Sequence, residues 1–467
     1  MTTGKQVRTR DMRARAPQSA ASVLLGLLLV GVATTPAHAD TVRSRQWHLD
    51  AMHADEMWKS STGRGITVAV IDSGVDDSLT DLRGQVLDGK DYSNQRGDEH
   101  TDIAGHGTDM AALIAATGAR GTVNGSYGLA PGVKILPIRM RYSTEDFGQV
   151  DAGAQYSRVL TQAIRYAADS EAQIINVSMG APDSPGRTNV STPQLAAAVR
   201  YALTKGKLIF AGVGNSGDKA NWPEYPAATP GVVGVGAADE DAHVAPFSQH
   251  GNQVDLVAPG VDLVHACLGG TEICKSQGTS GATALASASA ALIWAKHPDW
   301  TNNQVLRVML NTASKPTRGE KRSDYVGYGG VRPRAALKNP GDPGPADEYP
   351  LPDLAAAASA APSPKASTPT QAAGADEKDD QPRGTASVTS GSGSRTLWIY
   401  LGVAAAAVLG SAAGVSALRA RRRRTTSSSA APPAYPPYPQ PPQTPSQGHA
   451  GGPSPADNAP HGPGPCS

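Results

Sequence analysis

Between residues 66 and 237 the chain alternates two patterns. Short apolar runs recur as "ITVAVI" (66–71), "VKILPIRM" (133–140), "QIINVSM" (173–179), "KLIFAGV" (207–213) and "GVVGVGA" (231–237). Their near-continuous hydrophobicity suits strands buried in a parallel sheet. Between them lie stretches with helical spacing: "TDMAALIAAT" after Gly107, then residues 152–170 and 192–206. The alternation predicts an α/β sandwich with a mainly parallel sheet, within one large domain of about 300 residues. Ligands of such sheets bind outside the carboxyl ends of the strands. Asp72 follows "VAVI" directly, and Gly214 and Asn215 follow "LIFAGV".

Residues 277–298, "QGTSGATALASASAALIWAKHP", follow a different rule. From Thr279 to Trp294 nearly every residue is small or apolar, and Lys296 is the only charge before Pro298. Such a helix packs tightly against something, yet it opens with a glycine, a threonine and a serine. Ser280 suits an N-cap. It equally suits a nucleophile at a helix N-terminus, where free N–H groups and the dipole stabilise negative charge.

Two apolar runs stand outside the domain. Residues 1–39 combine five basic residues, the run "AASVLLGLLLVGVA" and "AHA" at 37–39, the features of a secretory signal peptide. Residues 397–418 carry no charge; as a helix they would extend about 33 Å, enough to span a bilayer core. Arg419 and residues 421–424, all arginine, follow at once, which places the C-terminus in the cytoplasm and the chain from Asp40 onward outside. Residues 341–394 are rich in Ala, Pro and Ser and predict a disordered linker reaching roughly 40 Å on average. The tail, residues 419–467, is basic and then proline-rich, of polyproline II type. These segments predict a single-pass protein of the cell membrane with an extracellular domain.

Lys plus Arg (42) nearly equals Asp plus Glu (41), which argues against nucleic acid as a partner. Of three cysteines, Cys267 and Cys274 lie close together in the exported part and predict a small-loop disulfide. Cys466 falls in the expected cytoplasmic tail. The acidic residues crowded between Asp76 and Asp102 match no EF-hand spacing and predict a solvated acidic face. His48 and His53 lack metal-ligand partners at useful spacing, so no metal site is expected. No cofactor is required, and structural calcium has no motif to support it.

Asp72, His106 and Ser280 each have an ordinary explanation when taken singly. "DSG" is good turn chemistry, a histidine at a helix start is commonly a surface residue, and serine caps helices. Jointly they form a catalytic set: an aspartate orients a histidine, which takes the proton from a serine attacking a carbonyl. Asn215, in "GVGNSGD" directly after a buried run, supplies a donor for the resulting oxyanion, with the Ser280 N–H as a second. The order Asp, His, Ser is the subtilisin order and excludes the α/β-hydrolase and chymotrypsin orders. "GTSGA" also fails the G-x-S-x-G elbow of α/β-hydrolases.

Over about residues 65–337 the chain resembles the subtilisin-like serine proteases. "VAVIDSGV" looks like the Asp motif, "GHGTDMAALIAA" the His motif, "GNSG" the oxyanion asparagine and "GTSGATALASASAALI" the Ser motif, with "FSQHGNQVDLVAPG" before it. The resemblance implies a three-layer sandwich, endopeptidase activity on protein or peptide substrates, and a specificity pocket lined by Ser178, Met179, Gly180, Gly212, Val213 and Gly214. The order of segments is similar to the mycosins, membrane-anchored subtilases of actinobacterial type VII secretion. That likeness implies secretion-complex partners and an N-terminal extension, residues 40–64, that wraps the domain (residues 65–340) without acting as a removable inhibitor. Three positions depart from the family. Asp109 stands where a second histidine is common, Gly281 replaces a bulkier residue and could loosen the helix start, and Ala284 stands where proline is usual. Two other readings remain distinct: a scaffold of a membrane secretion complex whose protease activity is dispensable, and a lipase or esterase that cleaves small esters but no peptide bond.

Overall fold

Among the described residues of the computed structural model, eleven short strands are formed: β1 (Thr67–Asp72), β2 (Lys90–Asp91), β3 (Lys134–Arg139), β4 (Ile174–Val177), β5 (Ala181–Pro182), β6 (Leu208–Gly212), β7 (Glu224–Tyr225), β8 (Val233–Ala238), β9 (Leu256–Pro259), β10 (Leu263–Ala266) and β11 (Ile273–Ser276). Seven form one sheet in the order β2-β3-β1-β4-β6-β8-β9, and every neighbouring pair in it is parallel. The structure describes residues 1–4, 40–142, 151–183, 185–186, 188–317 and 319–360. All five runs predicted as strands lie in this sheet. The runs are apolar throughout because both faces are covered. In β1, Val68 and Val70 face one core while Ala69 and Ile71 face the other, as the period of two requires.

The first core holds the helices α1 (His106–Ala115), α4 (Thr279–Lys296) and α5 (Asn302–Thr312), and the second holds α2 (Ala152–Asp169) and α3 (Pro193–Thr204). The result is the expected three-layer α/β/α sandwich. Local signals set the helix starts. Thr192 accepts a bond from Leu195 N at 3.1 Å, with Pro193 at the first helical position. Thr301 and Gln304 form a capping box on α5.

α4 runs beneath β4, β6, β8 and β9 and against α1 and α5. Its alanines permit that approach, and its fully buried hydroxyls are satisfied without solvent. Thr283 Oγ1 donates to Thr279 O and Ser289 Oγ to Leu285 O, both at 2.7 Å, the back-bonding open to hydroxyls inside a helix. Gly281 leaves no gap in the packing. A Cβ there would lie 2.5 Å from Leu263 Cδ1 and 3.3 Å from Leu113 Cδ1, so neighbouring leucines already fill the space.

Residues 40–64 are part of the core. Leu49 and Met57 are buried, and Gln46 donates to Tyr127 O at 2.8 Å and to Val264 O at 3.1 Å. Ser61 Oγ donates to Leu292 O of α4 at 2.7 Å. Cys267 and Cys274 are disulfide-bonded across the antiparallel β10–β11 hairpin.

Two expectations need correction. The linker does not begin at residue 341: Arg307 donates to the carbonyls of Pro343, Pro345 and Glu348, Tyr349 OH donates to Gly231 O at 2.9 Å, and Leu351 is buried. The helix α6 (Pro352–Ala360) follows. The Arg307 guanidinium and the Thr301, Asn303 and Gln304 side chains collect backbone carbonyls and, with a tyrosine and a leucine, order a segment otherwise poor in apolar residues. The acidic stretch is also not simply a solvated face. Asp81 is fully buried and accepts from the backbone N–H groups of Arg120 and Ser126, both at 2.9 Å.

Among the described residues no helix is long and apolar enough to cross a membrane. The expected span 397–418, residues 5–39 of the expected signal peptide, residues 361–394 of the linker and the tail lie outside them.

Candidate active site

β1 turns towards β2 and β3 on one side of the sheet, while β4 leads to β6 on the other. The connections diverge at the carboxyl ends of β1 and β4, where open α/β sheets bind ligands. Asp72 ends β1 there, its side chain fully buried. Its Oδ1 accepts from His106 Nδ1 and from Ser73 N, both at 2.8 Å. His106 is the first residue of α1. Asp102 fixes that helix start by accepting from Gly105 N, Thr108 N and Ser73 Oγ at 2.8 Å and from Thr108 Oγ1 at 2.7 Å. The sequence reading overlooked Asp102 because it is one of many acidic residues in that stretch.

Burial disfavours a charged His106, but the Asp72 charge and hydrogen bond outweigh it, with Asp109 and Asp102 adding. The imidazole pKa is therefore raised. An imidazole whose protonated form is stabilised in this way is a competent proton acceptor.

Ser280 is the second residue of α4, and Gly278 is the N-cap. Ser280 is therefore not the cap. Its backbone carbonyl accepts from Ser178 Oγ at 3.0 Å, Ser178 Oγ accepts from Asn176 Nδ2 at 2.9 Å, and Asn176 Oδ1 accepts from Ser287 Oγ at 3.0 Å. This buried relay ties the start of α4 to the end of β4. Asn176 and Ser287 went unnoticed in the sequence because each lies inside an apolar run.

Asn215 Oδ1 accepts from Thr279 N at 2.9 Å and Thr279 Oγ1 at 3.1 Å. With its oxygen occupied, the exposed side chain presents Nδ2 beside the α4 N-terminus. Gly214 has φ +107°, and a Cβ there would lie 2.2 Å from Gln249 Nε2, so only glycine fits. A cavity of about 270 Å³ opens here. Five of the six predicted pocket residues, Ser178, Met179, Gly180, Gly212 and Gly214, line it together with Asn215 and Ser280. Val213 does not: its side chain is buried in the core shared with α2 and α3, because successive residues leaving a strand face opposite sides. Tyr142, Glu224 and Thr279 also line the cavity, and no sequence pattern marked them.

His106 and Ser280 make no hydrogen bond to each other. Tyr142 places them on one cleft: its ring centre is 5.0 Å from that of His106, and it borders the Ser280 cavity. No residue of the 40–64 extension lines that cavity.

A carboxylate-bound imidazole and a serine at a helix N-terminus, on the carboxyl edge of a parallel sheet, define the class of serine hydrolases built on an α/β sandwich. Residues 63–329 match the peptidase S8 family, described as the subtilase family. The chain belongs to that family and is a serine-type endopeptidase. It is 34% identical over 251 residues to the "Intracellular serine protease" of Paenibacillus polymyxa, covering 52% of this chain and 71% of that one. Among solved structures it is similar to MycP1 from Mycobacterium smegmatis, with TM-score 0.57 and 28% identity, covering 68% of this chain and 89% of that one. It is also similar to a chain in the periplasmic assembly of the ESX-5 inner membrane complex, with TM-score 0.55 and 26% identity over 73% of this chain and 90% of that one. The mycosin likeness expected from the order of segments is thus met in the structure.

Proposed function

We propose that the protein hydrolyses peptide bonds through Asp72, His106 and Ser280, with Asn215 as an oxyanion donor. The observation that carries this reading is the 2.8 Å bond from His106 to buried Asp72, beside Tyr142, whose ring meets His106 and lines the cavity of Ser280 and Asn215. His106 Nε2 takes the proton of Ser280 Oγ as the oxygen attacks the substrate carbonyl carbon, and Asp72 stabilises the imidazolium. Charge that develops on the carbonyl oxygen is met by Asn215 Nδ2 and the Ser280 N–H at the start of α4. His106 returns the proton to the leaving amine, and water then cleaves the acyl-enzyme by the same steps in reverse. The Ser280–His106 contact tightens when substrate is bound, as catalytic hydrogen bonds commonly do.

The likeness to MycP1 and to a chain of an ESX-5 inner membrane assembly supports a role in type VII secretion. The uncharged run 397–418, followed by arginines, supports membrane anchoring with the catalytic domain outside. The same assembly favours a second reading in which the protein also braces a secretion complex. Fluorophosphonate labelling and peptide hydrolysis by the full chain, wild type beside Ser280→Ala, test the chemistry. Wild type is labelled and Ser280→Ala is not, and kcat falls by about a millionfold, the scale set by subtilisin. Equal labelling of both proteins would rule out Ser280 as nucleophile. Full repair of secretion in a deletion strain by Ser280→Ala would favour the bracing role.

A further inference from the structure

Glu224 is the only carboxylate lining the Ser280 cavity among the described residues. It lies on β7, which pairs with β5 so that Pro182 faces Glu224. That ribbon carries it against Gly180, where an added Cβ would lie 2.8 Å from Glu224 Oε2. The carboxylate thus lies between the segment after β4 and the segment after β6, the two that flank Ser280. Gln249, fully buried, donates Nε2 to Glu224 Oε1 and to Ser216 Oγ, both at 2.9 Å. Gln249 therefore holds one oxygen in place and brings no charge. Among the described residues no Lys, Arg or His comes within ion-pair distance of Glu224.

A part-buried carboxylate without a cation is costly to keep charged. Burial pushes Glu224 up to about 7, against the opposing Gln249 bond. Asp81 and Asp102 each have both oxygens occupied by N–H or hydroxyl donors, whereas among the described residues Glu224 accepts only the Gln249 bond, on Oε1, and Oε2 beside Gly180 on the cavity wall takes none. Ser178, Asn215, Thr279 and Ser280 bring hydroxyls and an amide to the cavity, beside the Tyr142 phenol and the Met179 thioether, and none of these carries charge to compete with Glu224.

We propose that Glu224 selects lysine or arginine as the substrate residue whose carbonyl Ser280 attacks. The inference rests on the reading of Ser280 as the nucleophile of a peptidase. A bound ammonium or guanidinium supplies the missing charge in a charge-assisted hydrogen bond to Oε2. An acidic substrate side chain is repelled, and an apolar one leaves a desolvated carboxylate unpaired. The titratable groups near Glu224 are Tyr156 of α2 and, on the wall of the same cavity, Tyr142. Burial raises both hydroxyls, so they stay neutral across the range in which Glu224 titrates.

The test uses the full chain and peptides that differ only at the residue before the scissile bond: Lys, Arg, Leu, Phe and Glu. Wild type is expected to favour Lys and Arg over Leu in kcat/KM by roughly thirtyfold or more, the lower end of the loss when one member of a buried charge pair is removed. In Glu224→Gln that ratio collapses towards one, and in Glu224→Lys the Glu peptide becomes the best of the set. Fluorophosphonate labelling of both variants verifies an assembled site. The Lys-to-Leu ratio, in which His106 cancels, rises with pH through about 7 in wild type, since Glu224 is charged only above its pKa. It stays flat in Glu224→Gln. Wild type that cuts Leu or Phe peptides as well as Lys peptides overturns this inference and leaves the peptidase reading standing, as does a Lys preference that survives in Glu224→Gln. Absence of both labelling and hydrolysis in wild type overturns both.

Discussion

Among the described residues, two groupings of serine, histidine and aspartate invite comparison, and they differ in how each histidine is supported. In the first, Asp72 bonds His106 at 2.8 Å and Ser280 opens onto the substrate cavity. In the second, His265 Nε2 lies 2.7 Å from Ser276 Oγ, and His265 Nδ1 lies 3.8 Å from Asp109 Oδ1. Helix α1 carries a member of each, His106 and Asp109, less than one turn apart. By the serine–histidine distance alone, the second set looks the better assembled.

The difference lies in what each imidazole can do with a proton. His265 is fully buried, and its Nδ1 bonds the Ala266 carbonyl at 3.0 Å rather than Asp109. Burial lowers its pKa, the Ala266 carbonyl opposes, and the His106 charge lowers it again. Taking a proton from Ser276 would create an unsupported cation in the interior. His106 is the reverse case, with a raised pKa and a carboxylate in contact. Asp109 could not rescue His265, since burial pushes it up to about 7. Residue types do not make a catalytic set; a bonded carboxylate and an open cleft do.

The largest expected effect that sharpens this contrast is that of Asp72→Asn. Loss of the orienting carboxylate should lower kcat by about 10⁴-fold while the fold persists, read by peptide hydrolysis beside circular dichroism. Asn215→Leu should cost about 100- to 1000-fold in kcat, again the subtilisin scale, with KM little changed, because the amide acts on the oxyanion and not on the ground state. Next comes pH. His106 must be neutral to accept a proton, and its pKa is raised, so the acid limb of kcat/KM for a Leu peptide should lie above about 6.5. In Asp72→Asn the residual activity should show that limb moved to lower pH, since burial then acts with less opposition. The smallest effect belongs to the second set. Ser276→Ala should leave kcat within about twofold and cost about 1 kcal/mol of stability by denaturant unfolding, the value of one hydrogen bond. A large loss of activity in Ser276→Ala would break the comparison.

Much of the fold was legible because buried strands and amphipathic helices write their periods into the chain. The five apolar runs became β1, β3, β4, β6 and β8, with ends shifted by one or two residues. The short β2 and β9 and the two ribbons escaped, since two- to four-residue strands carry too little pattern to separate them from loops. The site was legible where chemistry needs particular residues at strand and helix ends: Asp72, His106, Asn215 and Ser280. Glu224 was not, because its place in the cavity comes from β7 pairing with β5 across a gap of more than forty residues.

Local pattern and motif order alone determined the α/β class and the family and singled out the residues proposed to react, because each of those depends on residue type at short spacing. Only the tertiary structure decided which histidine is supported by a carboxylate, that Val213 turns away from the cleft, that residues 341–351 belong to the domain, and that a carboxylate without a cation borders Ser280. Those are facts about distance and burial between remote segments, and a carboxylate's charge has consequences only once its neighbours are known.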